Sequence, residues 1–314
     1  MQEENSKKKL NDFDNEIDLL EFFHALWDGK WIIVSLTTFA SIAGVIYSLS
    51  LPNIYESRAM LVPANSSSGI SGALRGFGGL AGLAGISLPS SGDQGNSAVA
   101  IKKISTLSFY ENNILTNIYL PDLMAFKSWN SEKNTVSYDK NLYDNKSKTW
   151  IVNDSDSMQK IPSIQKSFKA FKSKLSLVED DRTGFVTISI KHQSPYLAKQ
   201  WVELVVDEVN SFYRQKDKSE SEKAARYLNQ QISMTSLSEI KEVLAQLLQE
   251  EIKKLTLIEA NKFYVFDYID PPAVMELKVE PSRALICIIS AILGGILSLV
   301  LVLIKHFVFK EKVT

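Results

Sequence analysis

Trp31–Leu51 reads WIIVSLTTFASIAGVIYSLSL, and Ala284–Ile304 reads ALICIISAILGGILSLVLVLI. Each stretch has 21 residues and no charged side chain. At about 1.5 Å rise per residue, a helix of that length crosses a hydrocarbon core roughly 30 Å thick. No other stretch of the sequence does so. The first is a poor secretory signal, because its apolar core is too long and 30 residues, more than half of them polar or charged, precede it. Two spans put both tails on one side of a bilayer and everything between them on the other. The expected organisation is a tail over 1–30, a span over 31–51, an outer domain over 52–283, a span over 284–304 and a tail over 305–314. Lysines and arginines flank both ends of the long loop and decide no orientation, since long loops translocate largely regardless of charge. The tails are too short to fold alone, so the outer domain is the working part and is placed outside the cytoplasm. Trp27 and Trp31 bracket Lys30 at the first span, as headgroup-seeking residues do. Ile17–Trp27 has helical spacing that suits either a short interfacial helix or a plain extension.

The whole-chain averages hide this asymmetry. Over 314 residues the net charge is −1, 45% of residues are apolar, 23% are charged, and the mean hydropathy is −0.05. Such values exclude a collagen-like, disulfide-rich or fully disordered chain and give no electrostatic case for nucleic acid. The single cysteine, Cys287, lies inside the second span, away from disulfide or metal chemistry.

The outer domain reads as mixed α/β. Asn53–Pro63 alternates like a strand, with Tyr55, Ala59 and Leu61 on one face. Residues 65–97 are rich in Ser and Gly, and seven of the 14 glycines fall between Gly69 and Gly85. Gly76-Phe77-Gly78-Gly79-Leu80-Ala81 has dinucleotide-like spacing, but no buried strand precedes it and no acidic ribose partner follows about 20 residues on. A linker and a close-packing or membrane-skimming loop both remain open for it. Ala98–Leu115 and Ile164–Leu177 show helical periodicity, residues 128–160 read as loop with a short hairpin, and Phe185–Ile190 alternates as a strand. Tyr196–Asn261 then runs 66 residues without Gly or Pro, preceded by Pro195 at a first helical turn. This is one long helix, or two joined near Ser233–Ser236, with a straight length of about 100 Å. Its apolar stripe lapses over Arg214–Arg226 and returns from Leu237 to Ile258, so the middle is expected to leave the globular body. Phe263–Ile269 is a last strand, ended by Pro271-Pro272.

Catalytic chemistry is missing. There is no phosphate-binding glycine loop with its lysine. His24, His192 and His306 are widely separated, and the acidic residues read as solvated helix faces rather than a paired-carboxylate site. No cofactor or metal is expected, and the chain is read as a non-enzyme.

The two ends resemble a known family. Ile17-Asp18-Leu19-Leu20 through Leu26-Trp27, Gly29-Lys30-Trp31 entering the span, then Pro52-Asn53-Ile54-Tyr55 and Ser57, resemble the start of Wzz-type chain-length determinants, the polysaccharide co-polymerases of bacterial inner membranes. Ile269-Asp270-Pro271, then Pro281-Ser282-Arg283-Ala284-Leu285-Ile286 and Gly294-Gly295, are similar to that family's proline-bearing junction and glycine-bearing second span. Leu244, Leu247, Leu248 and the run from Lys253 to Phe266 look like its helix-to-strand return. Met275, Ser282 and Ser298 depart from the pattern, although Gly294-x-x-x-Ser298 keeps a small-x-x-x-small spacing. The resemblance implies an α/β base with a long extended helix in a ring or bell of several protomers. It implies control of the modal length of O-antigen or a related surface polysaccharide, with no catalytic residue. The implied partners are other copies of the chain, a Wzy-type polymerase, nascent lipid-linked polysaccharide and membrane lipid. Kinase-bearing relatives carry a nucleotide-binding domain after the second span, whereas ten residues follow it here. Pro271, Pro272, Pro281, Arg283, Gly294, Gly295 and Ser298 are the candidate contacts with the polymerase or a neighbouring protomer, with Gly79–Gly85 and Leu237–Ile258 as further oligomer surfaces. The alternative is a two-span sensor whose output lies on a separate partner.

Overall fold

The computed structural model describes residues 19–64, 93–151, 161–261 and 263–310. In chain order the elements are α1 (Leu19–Asp28), α2 (Lys30–Ser50), β1 (Tyr55–Pro63), α3 (Asp93–Ile104), α4 (Leu107–Phe109, continuing as a π-turn over Tyr110–Ile114), α5 (Leu120–Met124), β2 (Phe126–Asn130), β3 (Thr135–Tyr138), β4 (Tyr143–Asp144), β5 (Thr149–Trp150), α6 (Ile164–Lys174), β6 (Leu175–Glu179), β7 (Val186–His192), α7 (Pro195–Met234), α8 (Ser238–Ala260), β8 (Phe266–Asp270) and α9 (Arg283–Lys310). They form two compact units, Met1–Asn53 with Glu280–Thr314, and Ile54–Val279. Residues 65–92 of the expected Ser/Gly-rich segment, Gly79–Gly85 included, lie outside the described residues, as do Ile17 and Asp18 at the head of the expected interfacial helix, and residues 93–97 begin α3 rather than continue a loop.

The Ile54–Val279 unit is built on a four-stranded sheet of order β6-β7-β1-β8, every neighbouring pair antiparallel. One face carries Ala59 and Leu61 of β1 beside Val186, Ile188 and Ile190 of β7, all buried. The first half of α7 lies on this face through Trp201, Val202, Val205, Val206 and Val209, and Phe109, Tyr110, Ile114 and Phe171 close the core. Burying a large apolar side chain contributes about 1.5–3 kcal/mol, so this layer carries the unit's stability. The fold is the mixed α/β arrangement with long helices that the sequence indicates.

Several elements differ in detail from the sequence reading. The expected helix Ala98–Leu115 is broken at Ser105-Thr106. Thr106 Oγ1 accepts from the Phe109 amide at 3.3 Å and starts a new turn. The expected helix Ile164–Leu177 stops at Lys174, because Leu175 and Leu177 pair with Ile190 and Ile188 as strand residues. Leucine fits both periods, and the sheet neighbour decides. The stretch expected as loop with one short hairpin holds two, β2–β3 and β4–β5.

The long helical stretch is two helices. Ser194 caps α7 by accepting from the Leu197 amide, Pro195 occupies the first turn, and the chain leaves the helix at Thr235 in extended conformation. Helix α8 packs back on α7 with Leu244, Leu248, Leu255 and Ile258 turned inward. The charged part of α7 is therefore not simply lost to solvent. Arg214 Nη2 donates to the Asn261 carbonyl at 2.7 Å, Tyr264 donates to Asp217, and Lys218 pairs with Glu259. These residues sit at i, i+3 and i+4 on α7, so the apolar stripe gives way to a polar seam on the same side of the helix.

The seam begins with a buried amide. Asn210 Oδ1 accepts from the backbone N–H groups of Tyr264, Val265 and Phe266 at 3.3, 2.8 and 2.9 Å, and Nδ2 donates to the Phe266 carbonyl at 3.0 Å. Asn210→Leu keeps the branched shape but strands those backbone groups. With about 1–3 kcal/mol lost per buried unsatisfied group, the variant is expected to lower unfolding free energy by about 3 kcal/mol or more in urea titrations of the detergent-solubilised chain. Asn229→Leu, at an exposed position further along α7, should change it by less than about 0.5 kcal/mol.

Candidate functional site

The unit that contains both apolar blocks is built from α1, α2 and α9. Lys30–Ser50 and Arg283–Lys305 are long and apolar enough to cross a membrane, with mean hydropathies of 1.9 and 2.9. Helices α2 and α9 run antiparallel against each other, joined by small residues. Gly44 lies against Ser290, Gly294 against Ala40 and Thr37, and Gly29 against Val302. Ser290 and Ser298 satisfy their own hydroxyls by donating to the Ile286 and Gly295 carbonyls, each at 2.7 Å. Between lipid-facing helices there is no hydrophobic driving force, so close packing of small side chains is what holds such a pair.

This geometry shows where each expected contact residue sits. A Cβ on Gly294 would overlap the Ala40 Cβ and come within 3.5 Å of the Thr37 Cα. The glycine notch is thus filled by the first span of the same chain. Gly295 is turned aside, its nearest neighbour the Thr37 Oγ1 at 4.0 Å from an added Cβ. Ser298 is fully buried in the same seam. Arg283 Nη2 donates to Asn53 Oδ1 at 3.1 Å and ties the start of α9 to the chain that leaves α2. Pro281 follows Glu280 through a cis peptide in this unit. Pro271 and Pro272 belong to the other unit. Pro271 is exposed, Pro272 is buried, and the chain after them is held along β1 by Ser57 Oγ donating to the Ala273 carbonyl at 2.8 Å and Val279 N–H donating to the Ile54 carbonyl at 2.8 Å. The seven residues therefore form two groups in two units. The partner face of the seam was overlooked in the sequence, although Ala40-x-x-x-Gly44-x-x-x-Ser48 and Ser290-x-x-x-Gly294-x-x-x-Ser298 both display it.

No group of three or more metal-ligating side chains occurs among the described residues. His192, the histidine closest to the core, is a structural group. Its Nδ1 accepts from the Ser194 amide at 3.0 Å, which leaves Nε2 to carry the proton toward the Asp122 carbonyl at 3.3 Å. Phe126 and Trp201 pack on its ring edge-on. Burial first, and then the nearby Lys174 ammonium, push its pKa down to about 4. The neutral imidazole thus holds the first turn of α7.

The comparisons agree with the sequence at its amino-terminal part. A family model described as "Wzz: Chain length determinant protein" matches residues 15–104. The matched stretch takes in α1, α2, β1 and α3, the first membrane helix and the strand that starts the sheet. Among solved structures, a full-length bacterial polysaccharide co-polymerase is 13% identical, with 94% of this chain and 99% of that chain covered and a TM-score of 0.43. A fragment of WzzB, the polysaccharide co-polymerase from Salmonella Typhimurium, is 12% identical, with 73% of this chain and 100% of that chain covered and a TM-score of 0.31. No curated protein matches the chain.

Two expectations follow from the geometry. Gly294→Leu forces α2 and α9 apart and is expected to lower the melting temperature of the detergent-solubilised protein, at a cost of about 1–3 kcal/mol. Gly295→Leu should leave it nearly unchanged, and equal losses in both would overturn the packing described. For His192, the folded pKa lies below the usual value, so between about pH 6.5 and pH 4 the unfolded chain binds the extra proton. Stability is therefore complete above about pH 6.5 and falls as pH drops toward 4, by about 3 kcal/mol at most. Asp122, raised by its own burial, works in the opposite direction. The measurement is thus the difference between the native chain and His192→Gln in melts across that range, with a shallower acid slope expected for the variant.

Proposed function

We propose that this chain regulates the length of a bacterial surface polysaccharide, O-antigen or a related polymer, as a non-catalytic co-polymerase of the inner membrane. The observation that carries the reading is the Wzz model match across the first membrane helix and the strand that follows it. The pair of apolar helices packed through Gly44, Ala40 and Gly294 supports an anchor with both termini cytoplasmic and Ile54–Val279 in the periplasm. The polymer is built by a separate Wzy-type polymerase, and lipid-linked polysaccharide is the material whose growth is limited. Pro281 and the open side of Gly295 are the surfaces offered to that polymerase.

Assembly into a homo-oligomer is part of the proposal. Helix α8 turns Leu244, Leu248 and Leu255 toward α7 but leaves Leu237, Ile240, Val243 and Leu247 exposed, at 57%, 46%, 56% and 44%. Apolar side chains at that spacing on a helix are a contact surface for another helix, and a second copy of the chain supplies one.

Deleting the gene should leave the polysaccharide present but with a random length distribution on a gel, and the native gene on a plasmid should restore the modal band. Loss of the polymer would point to an enzyme instead, and an unchanged ladder to a sensor.

A further inference from the structure

Beside the main sheet, the two small hairpins gather aromatic rings that the core does not require. Tyr119, at the start of α5, meets Tyr138 and Tyr143 edge-on, each with ring centroids 6.2 Å apart. Tyr138 and Tyr143 are 5.6 Å apart, and Tyr143 and its cross-strand partner Trp150 are 5.3 Å apart. The polar ends are also tied down. Tyr119 and Tyr143 share a hydrogen bond between their hydroxyls, and Tyr138 donates to Asp122 Oδ1 at 2.6 Å. The backbone beneath is braced by Asp139 N–H donating to the Ala125 carbonyl at 2.8 Å and Ile151 N–H donating to the Leu142 carbonyl at 2.9 Å. Tyr143 is buried as the floor, Trp150 and Tyr138 are half-buried walls, and Tyr119 and Leu142 stand 45% and 46% exposed at the rim.

The composition around these rings discriminates among occupants. From Lys127 to Trp150 there are four Asn, four Ser and two Thr, only two aliphatic side chains (Val136 and Leu142), and neither Arg nor Met. Protein interfaces favour Arg and Met and are depleted in Ser and Lys, and a membrane-inserting surface needs far more aliphatic area. Rigid rings surrounded by amides and hydroxyls match a ligand with apolar C–H faces edged by hydroxyl groups, that is, a pyranose. The rings take the C–H faces, and a small number of placed polar groups fix orientation.

We propose that Tyr119, Tyr138, Tyr143 and Trp150, with Asp122 behind them, form a glycan-binding platform on the Ile54–Val279 unit. The inference rests on the chain-length reading above, and it gives the chain a direct hold on the growing polymer.

The test uses the full chain in nanodiscs and, as probe, delipidated surface polysaccharide from the strain that carries the gene. Saturation-transfer NMR should show transfer to the polysaccharide from the native chain. Tyr119→Ala and Trp150→Ala should each weaken binding about tenfold, while Tyr119→Phe, which keeps the ring, stays within about threefold. Leu142→Glu, at the exposed rim and outside the ring packing, should also weaken it, which separates loss of binding from loss of folding. Tyr227→Ala, exposed on α7, should have no effect. Equal binding by all variants, or no transfer from the native chain while gene deletion still randomises polymer length, would overturn the platform and leave the chain-length reading standing. Fluorescence quenching by brominated lipid that Trp150→Ala diminishes would reassign the surface to the bilayer and overturn the platform too. An unchanged ladder on deletion would overturn the reading on which it rests.

Discussion

The fold of the Ile54–Val279 unit depends on one buried amide. The chain travels out along α7, turns at Thr235 and comes back along α8, so that β8 must find the edge of a sheet whose other strands were laid down far earlier in sequence. Closing so long an excursion costs loop entropy that only specific contacts offset. Asn210 supplies them by taking three successive backbone amides at the entry to β8 and giving a donor to the Phe266 carbonyl. Residue for residue, the return is fixed where α7 changes from an apolar to a polar face. Val206 and Val209 pack on the sheet, Asn210 holds the strand, and Arg214, Asp217 and Lys218 hold the end of α8 and the link that follows it. The interior supplies burial and the seam supplies register.

A different constraint governs the membrane unit. Helices α2 and α9 have no apolar surface to withdraw from water when they pair in lipid, so shape alone recommends one arrangement over another. Gly44 facing Ser290 and Gly294 facing Ala40 permit contact at backbone distance, and enlarging either glycine removes it. The exposed leucines, isoleucines and valines of both helices are then ordinary lipid-facing residues. Because the notch at Gly294 is filled within the chain, a contact with another protein has to use the sides of these helices that remain open, Gly295 among them.

Much of this architecture is legible in the sequence, for physical reasons that differ by element. The two apolar blocks are visible because twenty-odd uncharged residues have few other uses. The strand at Tyr55–Pro63 and the helix start at Pro195 are visible because alternation and the proline of a first turn are local signals. What fails is what a distant partner decides. Leu175 and Leu177 satisfy a helical period as well as a strand period, and their pairing with β7 settles the matter. Asn210 reads as one polar residue in an apolar stripe until the backbone it serves, more than fifty residues on, is in place. The small-residue spacing on the first span carried a readable signal at Ala40 and Gly44, but its significance depends on a facing helix some 250 residues away.

The two faces of α8 have different surroundings. One face is committed to α7, and the other presents Ile240, Val243 and Leu247 to the surroundings. If a neighbouring copy covers that stripe, the α7–α8 pair is held from both sides, and the polar seam at its base becomes the joint through which movement of the helices reaches β8. Strand β8 runs directly into Pro271-Pro272 and the segment held along β1 by Ser57 and Ile54, and that segment leads within a few residues to Arg283 and the second membrane helix. The chain therefore provides a continuous covalent and hydrogen-bonded route from the exposed stripe of α8, through Asn210, to the start of α9. Such a route is physical coupling only if its parts have two arrangements. The seam from Asn210 to Lys218 is the element suited to it, because a polar contact can be exchanged for water where a packed apolar one cannot.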